Sequence, residues 1–271
     1  MHIIHISDLH FGHPMQCDLA VLSSSIQAMA PDLVVISGDL THRARTREYR
    51  ESALFLEQLG ISYLTVPGNH DVSIHHPGER LFHPWKKWRT HIGSTGIVRY
   101  NGADFTVVGI NTVRRFGWYW DWSRGRISSE QVREVQKYLA SVEGKSITVL
   151  VAHHPFWLPD AYRNRALIMK GEDALPRLAA SGVDLILGGH VHVPFCTVRS
   201  GMIISNAGAP CVKRLPEGVM NGFSSIRAEQ RQLVITHWVL QDKQYIPQQK
   251  NRFIKREDRW DLLGETTAEH P

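Results

Sequence analysis

The chain has 271 residues, 42% of them hydrophobic and 21% charged, enough apolar material for a sizeable core in one large domain or two small ones. A count of 31 Lys and Arg against 26 Asp and Glu gives a formal charge of +5, which suits an anionic substrate and is too mild to mark a nucleic-acid binder. No apolar run approaches the ~18 residues needed to span a bilayer, and the opening HIIHIS lacks a basic leader and cleavage site, so a soluble cytoplasmic protein is expected, with peripheral lipid contact left open.

In chain order, short apolar runs rich in β-branched residues at 2–6, 33–37, 62–66, 105–111, 146–152, 183–187, 202–206, 223–227 and 233–239 read as strands. Apolar residues recur at helical spacing over 18–30 and 46–59. Ser128 and Gln131 form a capping-box pattern opening a helix at 129–142, and 172–181 reads as another helix. Strand and helix alternate in the first half, which implies a parallel sheet, and strand follows strand near the end, which implies hairpins. The expected fold is therefore α/β (α+β): two packed mixed sheets flanked by helices. With no repeat or linker, residues 1–242 read as one domain. Residues 243–271, mixed in charge and poor in periodicity, read as a C-terminal extension or tail.

Cys17, Cys196 and Cys211 are odd in number, widely spaced and without a C-x-x-C pair, so reduced, structural thiols are expected. The unusual count is 16 histidines, several at the ends of apolar runs.

Five of those runs end in one chemistry. HISDLHFG releases Asp8 and His10, whose alternation along an extended strand would point both side chains the same way. VVISGDLTH places Asp39 after Gly38, where the missing side chain lets backbone approach a bound group. VPGNHDV turns at Pro67 and Gly68 and presents Asn69, His70 and Asp71; VLVAHHPFW delivers His153 and His154, and LILGGHVHV delivers His190 and His192. Singly, each is an ordinary polar turn or a satisfied histidine. Five in succession point to one crevice at the carboxyl ends of strands. Carboxylate and imidazole donors without thiolate suit Mn, Fe, Co, Ni or Zn. Two such ions about 3.5–4 Å apart clamp the attacking and leaving oxygens of an in-line displacement, for which phosphoester hydrolysis is the natural reaction.

These motifs resemble the calcineurin-like metallophosphoesterase superfamily, whose pattern D-x-H, G-D, G-N-H-[D/E], H and G-H-x-H is met at Asp8-Leu9-His10, Gly38-Asp39, Gly68-Asn69-His70-Asp71, His153 and Gly189-His190-Val191-His192. The resemblance covers residues 1–240 and implies a sandwich of two sheets with two divalent metal ions per chain, Mn, Fe or Zn. By resemblance, Asp8, His10 and His192 bind one ion, Asp39 bridges to the second, and Asn69, His153 and His190 complete that second site. His153 is preferred to His154 because the family's ligand lies two residues before the proline, here Pro155. The resemblance further implies a metal-bridging hydroxide as nucleophile, His70 as acid or phosphate stabiliser with Asp71 orienting its ring, and Asn69 and His70 against the substrate.

The stretch from Asp39 to Asp71, together with GINTVRRFGWYWDWSRGRISSEQ, is similar to the bacterial branch of cyclic-nucleotide and glycerophosphodiester phosphodiesterases. That implies a nucleotide-like or small organic phosphodiester as substrate. A phosphomonoesterase, a nucleotide-sugar-lipid pyrophosphatase, a DNA nuclease and a silent interaction scaffold remain as alternatives. Trp118, Trp120 and Trp122 alternate beside Arg114, Arg115, Arg124 and Arg126, a strip that would stack a base or sugar, meet a lipid-linked substrate, or pack onto the sandwich. Arg114 and Trp118 are its candidate substrate contacts. His75, His76, His83, Trp85 and Trp88 form a second candidate rim, or a surface loop with packed aromatics; Arg43, Arg45 and Arg47 read as a solvated helix start.

Overall fold

Strands that are apolar on both faces need cover on both, and two sheets back to back with helices outside supply it. The computed structural model describes residues 1–14, 17–73, 76–115, 123–142, 147–162, 167–213 and 215–267. In chain order the strands are β1 (His2–Ile6), β2 (Leu33–Ile36), β3 (Tyr63–Thr65), β4 (Val98–Asn101), β5 (Phe105–Gly109), β6 (Ile147–Val151), β7 (Leu185–Gly188), β8 (Phe195–Arg199), β9 (Met202–Asn206), β10 (Gly222–Glu229), β11 (Gln232–Gln241), β12 (Gln244–Arg256) and β13 (Arg259–Thr267). The helices are α1 (Leu19–Ala28), α2 (Thr46–Leu59), α3 (Pro77–Phe82), α4 (Lys86–His91), α5 (Ser129–Ala140) and α6 (Gly171–Ala179).

One sheet has the order β13-β12-β11-β10-β1-β2-β3, the other β4-β5-β6-β7-β9-β8. β1, β2 and β3 run parallel, as do β5, β6, β7 and β9, whereas β10 to β13 form an antiparallel meander that joins β1 through β10. The expected fold class is therefore the observed one.

The two-residue period of each strand sorts its side chains between layers. Ile3, Leu33, Val35, Val107, Val149, Leu185 and Ile203 meet between the sheets. Their neighbours Ile4, Val34 and Ile36 pack outward under Leu22 and Ile26 of α1 and Phe55 and Leu56 of α2. On the far side Val108, Leu150, Ile186 and Ile204 lie under Val132 and Val135 of α5 and Leu175 and Leu178 of α6. The capping box forms as read: Ser128 N–H donates to Gln131 Oε1 at 2.9 Å and Gln131 N–H to Ser128 Oγ at 3.1 Å.

Two expectations give way. Residues 244–267 are two strands of the larger sheet, and Phe253 and Trp260 sit in the central core. The Asp184 carboxylate bolts them to the other sheet, accepting from Trp260 Nε1 at 2.8 Å and Lys255 Nζ at 2.6 Å. Register shifts at His237/Trp238 and Arg252/Phe253 break the alternation that marks a strand, which is why the sequence reads there as aperiodic. Trp260→Ala is expected to cost about 3–5 kcal/mol in urea unfolding, while Leu262→Ala, at an exposed site, stays near wild type.

The second correction concerns the thiols. Cys17 and Cys211 form a disulfide with a Cα–Cα distance of 5.0 Å, leaving Cys196 free and half-buried. The partners come together only through the tertiary fold, and such pairs persist in oxidising surroundings. Among the described residues no helix is long and apolar enough to cross a membrane.

Candidate metal centre

The turns that follow β1, β2 and β3 in one sheet and β6 and β7 in the other open at the same edge of the sandwich. They carry Asp8 and His10, Asp39, Asn69 and His70, His153, and His190 and His192 respectively. The β1 and β2 turns are stitched together, with Asp8 N–H donating to Gly38 O and His10 N–H to Asp39 O, both at 3.0 Å.

An extended backbone was the expectation for the D-x-H and H-x-H pairs, and the structure differs. Asp8, His10, Asp39, His190 and His192 have φ of 57°, 49°, 52°, 73° and 59°, all in the left-handed region. That conformation costs roughly 1–2 kcal/mol per non-glycine residue, and strain of this kind gathers at functional sites. Close approach explains the glycine before the Asn-His-Asp turn: a Cβ on Gly68 would stand 2.7 Å from Asp39 Cγ. A Cβ on Gly38 would meet His153 Nδ1 at 2.6 Å, so that glycine admits the imidazole ring.

The side chains converge in two linked groups. In the first, His10 Nε2 lies 3.1 Å from His192 Nε2, and Asp8 Oδ1 lies 3.2 Å from His192 Nε2 and 3.7 Å from His10 Nε2. In the second, Asn69 Oδ1 lies 3.0 Å from His153 Nε2 and 2.9 Å from His190 Nδ1. Asp39 Oδ2 touches both, 3.3 Å from His153 Nε2 and 3.9 Å from His10 Nε2.

Each carboxylate has one oxygen held by backbone, from His190 N–H to Asp8 Oδ2 at 3.0 Å and from His70 N–H to Asp39 Oδ1 at 2.7 Å. The other oxygen of each faces the imidazoles. Ser37 O, 2.7 Å from His153 Nδ1, can only accept, so that nitrogen donates there and Nε2 is left facing Asp39 and Asn69.

Burial would raise both carboxyls, yet His192 beside Asp8 and His153 beside Asp39 hold them below the usual carboxylate range. For His153, burial pulls down but the Asp39 carboxylate outweighs it and pushes the ring up to about 9. Burial pushes His10 and His190 down to about 4. Two buried carboxylates and the imidazoles of His10 and His190, kept neutral by burial, thus face one space, an arrangement a cation relieves. The N/O donor set fits borderline divalent ions.

His70 stands at the edge of this space, its ring 4.8 Å from that of His10. Its Nδ1–H donates to His42 O at 2.9 Å, which leaves Nε2 for a ligand. Asp71 was expected to orient the ring and does something else. Its carboxylate accepts from Leu40 N–H, Thr41 N–H, Thr41 Oγ1 and Gly68 N–H at 3.2, 2.8, 2.9 and 2.9 Å, locking the Gly38-Asp39 loop to the Asn-His-Asp turn. Burial, with the Asp39 charge nearby, raises Asp71 to about 7.

His42 is the residue the sequence reading missed. Its ring stacks on His70 at 5.7 Å, and His13 lies 4.8 Å beyond it. The available signal was a histidine directly after the Gly-Asp-Leu-Thr turn.

His154 is buried beside His153, with both nitrogens engaged, Nδ1 with Thr112 Oγ1 at 2.7 Å and Nε2 with Ser123 O at 2.8 Å. Arg114 is half-buried with Nη1 3.4 Å from Met169 Sδ. Trp118, Trp120, Trp122 and His75 lie outside the described residues. Of the second rim, His76 and His83 are exposed and Trp85 half-buried, but Trp88 belongs to the core beneath α4. Arg47 pairs with Glu51 at 2.6 Å on the exposed face of α2, as a solvated helix start should.

A family model for calcineurin-like phosphoesterases matches residues 1–194, which include every side chain of both groups. A probable glycerophosphodiester phosphodiesterase of Arcobacter nitrofigilis is 23% identical over 185 residues, 66% of this chain and 63% of that protein. A probable cyclic nucleotide phosphodiesterase of Coxiella burnetii is 23% identical over 223 residues, 77% of this chain and 83% of its own length. The chain thus spans just under two thirds of the first of these relatives. Among solved structures, a purple acid phosphatase from yellow lupin (Lupinus luteus) shares the fold with a TM-score of 0.69 at 16% identity, over 91% of this chain and 52% of that one. On the extent of the family match, this chain belongs to the calcineurin-like phosphoesterases.

Proposed function

We propose that the chain hydrolyses phosphoesters with two divalent ions, Mn, Fe or Zn, and that its substrate is a nucleotide-like or small organic phosphodiester. The observation that carries this reading is the pair of donor groups joined through one carboxylate oxygen, Asp39 Oδ2. Asp8, His10 and His192 would hold one ion, Asn69, His153 and His190 the other, with Asp39 between them. When bound, the ions supply Lewis acidity toward the phosphoryl oxygens and an ionised water near neutral pH.

The remaining work falls to the protein. His70, fixed at Nδ1 by the His42 carbonyl, presents Nε2 to the phosphate and delivers a proton or hydrogen bond to the departing oxygen. Asp71 keeps the two loops in register, so that Asp39 and His70 stay in one geometry. The names of both curated relatives support a diester over a monoester.

The test is the initial rate on bis(p-nitrophenyl) phosphate against p-nitrophenyl phosphate, on one preparation stripped of metal and reloaded with Mn²⁺. We expect at least about tenfold preference for the diester, equivalent to 1.4 kcal/mol between transition states. Preference for the monoester would make the protein a phosphomonoesterase.

A further inference from the structure

From the end of β5 the chain runs through Thr112 to Arg115, tied at two points. On the side of the smaller sheet it is held by His154, through Thr112 Oγ1. On the side of the larger sheet it is held by Arg80 of α3. The Arg80 Nε–H donates to Arg115 O at 2.8 Å and Nη2–H to Arg114 O at 2.9 Å, while Nη1 lies 3.4 Å from Val72 O. Val72 is two residues past His70 in the same turn.

Arg80 is 2% exposed. Removing a guanidinium from water is costly unless its donors are used. Its planar fork fixes several donors in one plane and reaches carbonyls of two segments at once, which the point charge of a lysine does not.

We propose that Arg80 is a positioning residue and Arg114 the substrate contact it positions: Arg80 fastens the Arg114–Arg115 backbone to the His70 turn, and so fixes where the Arg114 guanidinium, which rests against Met169 Sδ at 3.4 Å, stands. The identity of that ligand, a phosphodiester, rests on the function proposed above. The mechanical part stands apart from it, because the clamp exists whether or not the site turns over a phosphoester.

Trypsin cleaves after arginine, and the two clamped carbonyls are those of the bonds that follow Arg114 and Arg115. In the full chain we expect Arg80→Met to open these bonds to cleavage, read by mass spectrometry, with Arg80→Lys intermediate and added guanidinium restoring part of the protection. Arg80→Lys keeps a cation in place and serves if Arg80→Met does not fold. On Mn²⁺-loaded protein, Arg80→Met should raise KM for bis(p-nitrophenyl) phosphate about tenfold, with kcat within about threefold of wild type. Arg114→Ala should raise KM equally, and the double variant no further. Unchanged cleavage in Arg80→Met, or KM penalties that multiply, overturns the proposal. A wild-type chain that hydrolyses no phosphoester defeats the functional reading, while the trypsin comparison still decides the clamp.

Discussion

Asp39→Ala is expected to empty both halves of the centre and to lower kcat/KM by about 10³-fold or more, at least about 4 kcal/mol of transition-state stabilisation. The reason is geometric. Asp39 Oδ2 is the atom within reach of both His153 and His10, so its loss removes a donor from each group at once. Asp39 Oδ1 meanwhile accepts the His70 N–H, and that turn loses its anchor as well. Asp8→Ala, in contrast, removes a carboxylate that faces His10 and His192 of the first group. Metal analysis of the two variants side by side, after a circular-dichroism check of folding, separates the cases. Two ions per chain and undiminished turnover in Asp39→Ala would remove this residue from the centre.

His70→Ala should leave both ions in place and strike the departure of the leaving group. General-acid assistance is worth about 10²–10⁴-fold, and it matters most when the departing oxygen is a poor leaving group. The variant should therefore lose about that factor on alkyl diesters and much less on p-nitrophenyl esters, whose phenolate leaves without a proton. The measurement is kcat across a series of leaving groups. An unchanged dependence on leaving-group pKa would make His70 a binder of the phosphate and not a proton donor.

The centre was legible in the sequence because each of its turns ends an apolar run, and a strand end is where an α/β sheet places its chemistry. Asp8 and Asp39 could be named on that ground before any geometry, whereas the strand end offered His153 and His154 alike and the family resemblance chose between them. What stayed hidden was carried by backbone. Arg80 grips carbonyls, and the His42 carbonyl orients His70; a carbonyl is the same at every position, so no residue pattern announces it. The left-handed conformation of five site residues is equally invisible to an alternation rule that presumes extended chain.

In the fold, β4 and β8 escaped notice because edge strands are half-exposed and their apolar pattern is diluted, and α3 and α4 because six residues complete too few turns to show a period. The last two strands needed the Asp184 network to be understood. Their apolar residues are few, and Trp260 counts because a buried carboxylate in the other sheet receives its indole N–H.

The Cys17–Cys211 bond has its main consequence in the denatured chain. It joins residues 194 apart, so the unfolded polypeptide is a large ring with two tails. The ring carries Asp39, the Asn69-His70 turn, His153, His190 and His192, while the N-terminal tail carries Asp8 and His10 and the C-terminal tail carries the meander that begins with β10. Closing a ring of that size removes about 5 kcal/mol of conformational entropy, as TΔS, from the unfolded ensemble on the chain-entropy account. Reduction would release that restraint and let the denatured chain expand, narrowing the gap between native and unfolded states even where every contact within the folded body stays as it is.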